Sequence, residues 1–112
     1  MNKHKYTIIW PTGFFLSHES WAELDLDTLQ TIIGTKVVEA TQARWDGEDM
    51  ALMYVDENAC FKKDIAINYK ATQAYANYWT VYQNEYGTQG YPVDMKKVKN
   101  TKVKGTVILK WK

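Results

Sequence analysis

The chain opens on Tyr6-Thr7-Ile8-Ile9-Trp10, a β-branched and aromatic run stopped by the turn signal Pro11-Thr12-Gly13. Phe14-Phe15-Leu16-Ser17-His18 follows as the second arm of a hairpin. From Leu24 the hydrophobic period lengthens. Leu29, Ile32 and Ile33 fall on one helical face, and Gly34 supplies the left-handed residue that ends a helix. Two N-caps fit. Asp25 would set Leu24 against Leu29 as a hydrophobic staple, and Asp27 would put Gln30 at the capping-box position. The pattern predicts a helix over about residues 25–33.

Lys36 to Arg44 alternates modestly and Met50 to Val55 more strongly, with Trp45-Asp46-Gly47-Glu48-Asp49 between them as a hairpin turn. Asp56-Glu57-Asn58 closes the second of these strands, and Cys60 to Ile67 reads as irregular or a short strand. Asn68 caps a second helix over about 69–85, whose apolar stripe is Ala71, Ala74, Tyr75, Tyr78 and Tyr82. Gly87 to Pro92 ends it. Lys102 to Lys112 alternates again, with Val103, Val107, Leu109 and Trp111 to one side and Ile108 as the exception, the pattern of a half-buried antiparallel strand. The expectation is a single α+β domain over residues 1–112: a mostly antiparallel sheet of about five strands packed by two helices.

Composition supports a folded domain, with 46% hydrophobic residues and 14% aromatic, including five Trp and eight Tyr. One cysteine, Cys60, excludes an internal disulfide and is expected to be buried as a small hydrophobe. No signal-peptide pattern opens the sequence and no apolar run approaches bilayer length, so the expected setting is cytoplasmic, without a membrane. Net charge is +1 but uneven: Val93 to Lys112 holds seven lysines against Asp94 alone. Such a dipole steers a partner to one face. The plainer expectation is that lysines on a terminal strand shield an exposed sheet edge.

Leu29 to Glu39, Met53 to Asn58, the Asn-x-x-Ala-Thr start at Asn68 to Thr72, and Lys104 to Leu109 come in an order that resembles a small domain-of-unknown-function family of phage, plasmid and bacterial genomes, often encoded near antirestriction genes. The chain departs from it in a long Tyr78–Asn100 segment, and in Asp64-Ile65-Ala66-Ile67 where a Leu-Pro turn is usual. The resemblance implies the fold and a mobile-element origin, and it transfers no catalytic residues.

Catalytic templates are missing: there is no phosphate-binding Gly-rich loop, no His-Glu-x-x-His and no Gly-x-Ser-x-Gly. A hairpin turning at Pro11-Thr12-Gly13 would make His4 and His18 near neighbours, with only Glu19 to join them, short of a zinc site. No metal, cofactor or enzymatic activity is expected. The expected function is binding of a host protein, as an inhibitor of a host defence system. The residues singled out are the acidic hairpin tip Asp46, Glu48 and Asp49 and the aromatics Trp79, Tyr82, Tyr86 and Tyr91. A second reading is a nucleotide-signal or single-stranded nucleic-acid module, with Lys96, Lys97, Lys99, Lys102 and Lys104 on the phosphates and aromatics stacked on bases. A third is an enzyme whose site is shared between chains. Homodimerisation is compatible with all three.

Overall fold

The computed structural model describes residues 3–45 and 50–112. Five strands, β1 (His4–Ile9), β2 (Phe15–Ser20), β3 (Val38–Arg44), β4 (Met50–Asp56) and β5 (Val107–Trp111), make one antiparallel sheet in the order β2-β1-β5-β4-β3. With α1 (Leu26–Ile33), α2 (Tyr69–Tyr86) and α3 (Met95–Asn100), this is an α+β architecture. Each hairpin is local in sequence, and β5 joins the two by pairing with β1 on one side and β4 on the other.

Local chemistry sets the element ends. Between β1 and β2, the Gly13 N–H donates to the Trp10 carbonyl at 2.9 Å and the Trp10 N–H to the Phe14 carbonyl at 2.9 Å. Gly13 sits at φ +91°, the left-handed residue that completes this short loop. Asp25 is the N-cap of α1, its carboxylate accepting the Thr28 N–H at 2.8 Å, and Gly34 at φ +83° ends the helix. Leu24 and Leu29 both pack in the cluster beneath α1, as the staple requires.

Period-two alternation divides the core between the two sheet faces. Ile9, Ala43, Ala51, Met53, Val107 and Leu109 face α2, where Ala71 and Ala74 are fully buried against them. Alanine on both sides lets helix and sheet approach closely. Tyr6 and Ile108 point the opposite way and pack with Leu29 of α1. Val107, Ile108 and Leu109 are therefore all fully buried, so β5 is covered on both faces rather than one, and Ile108 is no exception.

Three further expectations change. The lysines near β5 do not shield an edge, because β5 is the central strand. Cys60 is exposed, since the one-turn helix Ala59–Phe61 buries Ala59 in its place. Residues 95–100 form a third helix capped by Asp94 and anchored by buried Val98, which shortens the last strand to Val107–Trp111. The positive φ of Gly105, +82°, turns the chain between Lys104, which bridges Ile67, and that strand.

Asn68 joins these parts. Fully buried, it donates from Nδ2 to the carbonyls of Ile9 (3.0 Å) and Gly105 (2.9 Å), and its Oδ1 accepts the Ala71 N–H at 3.1 Å. Its backbone N–H donates to the Val103 carbonyl at 2.8 Å. Truncation leaves buried acceptors unpaired and removes the α2 cap. Asn68→Ala is therefore expected to cost about 3 kcal/mol in denaturant unfolding.

Asp56 fixes the turn after β4. The Lys62 ammonium lies 2.6 Å from its Oδ2 and the Asn58 N–H donates to Oδ1 at 3.0 Å. Burial pushes the Asp56 pKa up, but Lys62, the Asn58 N–H and the Thr35 side chain together hold it below the ordinary 3.8. A depressed folded pKa means stability that is present above that value and lost as the pH falls through the folded one. Wild-type protein should thus lose more stability on acidification below pH 3.8 than Asp56→Asn, measured by urea melts across pH.

Candidate functional site

Helix α2 positions the aromatic residues. Along the helix the core-facing Ala71 and Ala74 give way to partly buried Tyr75, and Tyr78 and Tyr82 further on line a groove with Arg44 and Met50. Trp79 sits among them, with ring centroids 5.0 Å from Tyr78, 5.4 Å from Tyr82 and 6.4 Å from Tyr75, all edge-on. Tyr86 continues the row 5.0 Å from Tyr82 and is exposed. These edge-on and offset contacts are the favoured aromatic geometry. The Trp79 indole N–H is buried with no acceptor among the described residues.

The chain after α2 folds back onto its end. The Tyr91 N–H donates to the Tyr86 carbonyl at 3.4 Å, and the Val93 N–H to Gln83 Oε1 at 2.8 Å. Tyr91 is 64% exposed. Trp79, Tyr82, Tyr86 and Tyr91 are thereby gathered at one end of the molecule. A groove of about 310 Å³ lies there, lined by Tyr78, Val81, Tyr82, Glu85 and Tyr86 of α2 with Arg44 and Met50 of the sheet. Asp46, Glu48 and Asp49 fall outside the described residues; in sequence they lie between Arg44 and Met50.

The lysines do not form one surface. Lys96, Lys97 and Lys99 stand exposed on α3. Lys102 and Lys104 line a separate cavity of about 230 Å³ whose other walls include Glu39, Asp56 and Glu57. Carboxylates in that wall offset the cations, so this cavity is a poor phosphate cradle. Lys110 reaches Glu23 at 2.6 Å, which holds the Glu23 carboxyl below its ordinary range. Lys112 donates to Gln42 at 2.9 Å.

A second aromatic site is assembled across strands and has no contiguous signal in the sequence. On the α2 face, beyond the helix, Trp45, Trp111 and Phe15 surround an open basin of about 470 Å³ with Lys5, Lys112, Thr7 and Ser17. The Trp111 N–H donates to Thr7 Oγ1 at 2.9 Å, and that oxygen lies 2.9 Å from Ser17 Oγ. Lys5 Nζ stands 5.5 Å over the Trp111 ring. These residues come from four separate segments, and only the alternation of β1, β2 and β5 signals that they share a face.

His18 is exposed and opposite Tyr6, while His4 is opposite Ser20 with its Nδ1 4.0 Å from Glu23. Among the described residues, no three His, Cys, Asp or Glu side chains are placed to hold a metal ion. No helix among them is long and apolar enough to cross a membrane.

No protein-family model matches the chain, and no solved structure matches it. It is similar to the Polycomb protein sop-2 of Caenorhabditis elegans, at 29% identity over 101 residues. That match covers 86% of this chain and 14% of the nematode protein, so the chain spans about one seventh of its relative's length.

Proposed function

We propose that this protein acts by binding another protein, through the end of the molecule where α2, the Tyr91 segment and the β3–β4 hairpin meet. The observation that carries this reading is the continuous row of rings from half-buried Tyr75 to exposed Tyr86, beside the groove lined by Arg44 and Met50. A ring row rooted in the core presents rigid, amphipathic contact area at little entropic cost, the chemistry of interface anchors. The specific form of the reading is inhibition of a host defence protein, in line with the mobile-element origin that the resemblance implies and with the surplus aromatics, the acidic Asp46, Glu48 and Asp49 imitating phosphate charge to a nucleic-acid-binding target.

The test is capture from nuclease-treated host lysate by tagged wild-type protein and by the pair Tyr86→Ala and Tyr91→Ala, read by mass spectrometry. One dominant protein near equal amount is expected with wild type, and about tenfold less with the variants. Equal capture by both, or none by either, sinks the reading.

A second reading rests on the sheet-face basin, where Lys5 over Trp111 and Lys70 over Phe15 pair cations with aromatic faces. Rings and lysines in that arrangement suit the stacked bases and phosphates of single-stranded nucleic acid. Titration with a single-stranded oligonucleotide should then quench Trp fluorescence, and Lys5→Glu should weaken binding and lower its salt dependence by about one ion. Unchanged fluorescence at low salt removes this reading.

A further inference from the structure

Strand β2 lies at the edge of the sheet, and its backbone shows which groups are left over. In an antiparallel pair, successive residues turn their N–H and C=O groups alternately toward and away from the partner. The Trp10 N–H bonds to the Phe14 carbonyl, and the register continues as Ile8 opposite Leu16 and Tyr6 opposite His18. Phe14, Leu16, His18 and Ser20 therefore face β1, and the N–H and C=O groups of Phe15, Ser17 and Glu19 face outward. Exposed edges are usually blunted by Lys, Pro, a bulge or a covering segment. β2 contains neither Lys nor Pro, and it is flanked by exposed Phe14 (62%) and Trp21 (64%), with Leu16 52% exposed between them.

We propose that this edge is a dimer interface: β2 pairs antiparallel with β2 of a second copy about a two-fold axis through Ser17, joining two sheets into one of ten strands. Two-fold symmetry demands that residues of the same orientation face one another. Centring on Ser17 meets that demand and places Phe15 opposite the partner's Glu19, Ser17 opposite the partner's Ser17, and Leu16 opposite the partner's His18. No like charges are opposed.

Charge selects this register and this occupant. Lys70, from the first turn of α2, lies along the same edge: its Nζ stands 5.0 Å over the Phe15 ring, and its Cε would be 3.6 Å from a Cβ on Gly13. Residues opposite one another in a hydrogen-bonded antiparallel pair have Cα atoms about 5.5 Å apart, so the partner's Glu19, on the same sheet face as Phe15, comes within reach of the Lys70 ammonium. The symmetry repeats the contact, giving two Glu19–Lys70 pairs across the interface. A two-residue shift one way puts His18 against the partner's His18 and draws Glu19 back to Ser17. The opposite shift carries Glu19 past the strand to Gly13. Neither keeps both the hydrogen bonds and the ion pairs.

Sedimentation equilibrium over a range of concentrations tests the proposal on the full chain. Wild type should be a dimer in equilibrium with monomer, and Glu19→Lys or Lys70→Glu alone should raise the dissociation constant by about tenfold or more. The double variant Glu19→Lys with Lys70→Glu should restore dimerisation, and Ser17→Pro, which deletes an outward N–H at the axis, should abolish it. Both charged positions are exposed, and circular dichroism of each variant should match wild type. Monomer at every wild-type concentration overturns the proposal. So does a dimer indifferent to the single reversals, or one the double reversal does not recover.

Discussion

The structure depends most on one buried amide. Asn68 is the point where strand β1, the turn at Gly105 and the first turn of α2 meet, and three of its hydrogen bonds cross between segments far apart in sequence. A buried amide with few bonds is a liability; one whose donors and acceptor are all taken is a locating pin. Because the Asn68 carbonyl also accepts the Thr72 N–H, the same residue fixes where α2 starts and, through it, which helix face meets the sheet. The placement of Ala71 and Ala74 on the core, and of the tyrosines beyond them, follows from that single anchor.

That anchor explains why the aromatic end and the sheet-face basin are separate places. The first turn of α2 is held beside Ile9 and Gly105, and the helix then crosses toward Arg44 and Met50. It thereby leaves uncovered the part of the face occupied by Lys5, Thr7 and Trp111. One diagonal helix on a five-stranded sheet thus produces two aromatic surfaces of different character: a groove with Arg44 and Glu85 at one, and a lysine-bearing basin with a hydroxyl pair at the other.

Local signals in the sequence were sufficient for the five strands and for α1 and α2, because caps and turns are short-range chemistry. Asp25, Gly34, Asn68 and Gly13 each do locally what their residue types do in general. Most of what escaped was non-local. The period of Val107 to Trp111 shows a strand but not that α1 covers its second face, since Ile108 looks like a lapse until Leu29 is known to lie above it. Helix α3 is six residues of mostly lysine, too short for a period to emerge, and only Asp94 and Val98 betray it. Of the candidate binding residues, the four aromatics were legible because one helix and its return segment carry them. The lysines looked like a cluster in sequence but belong to α3, a cavity wall and two separate side-chain pairs. The basin, assembled across strands, could not be seen without the strand order.

The position of β5 in that order bears on how the fold is made. Of the five strands it is the last in sequence, yet it is the one that holds the two hairpins together. A ribosome delivering this chain releases β1–β2 and β3–β4 as separate units, each with an unpaired side, well before residues 107–111 emerge. Until then Ile9 and Met53 have no strand between them and the core facing α2 is split. The nascent protein therefore passes through a stage in which two sticky half-sheets wait for a central strand, the interval in which a holding chaperone has the most to offer.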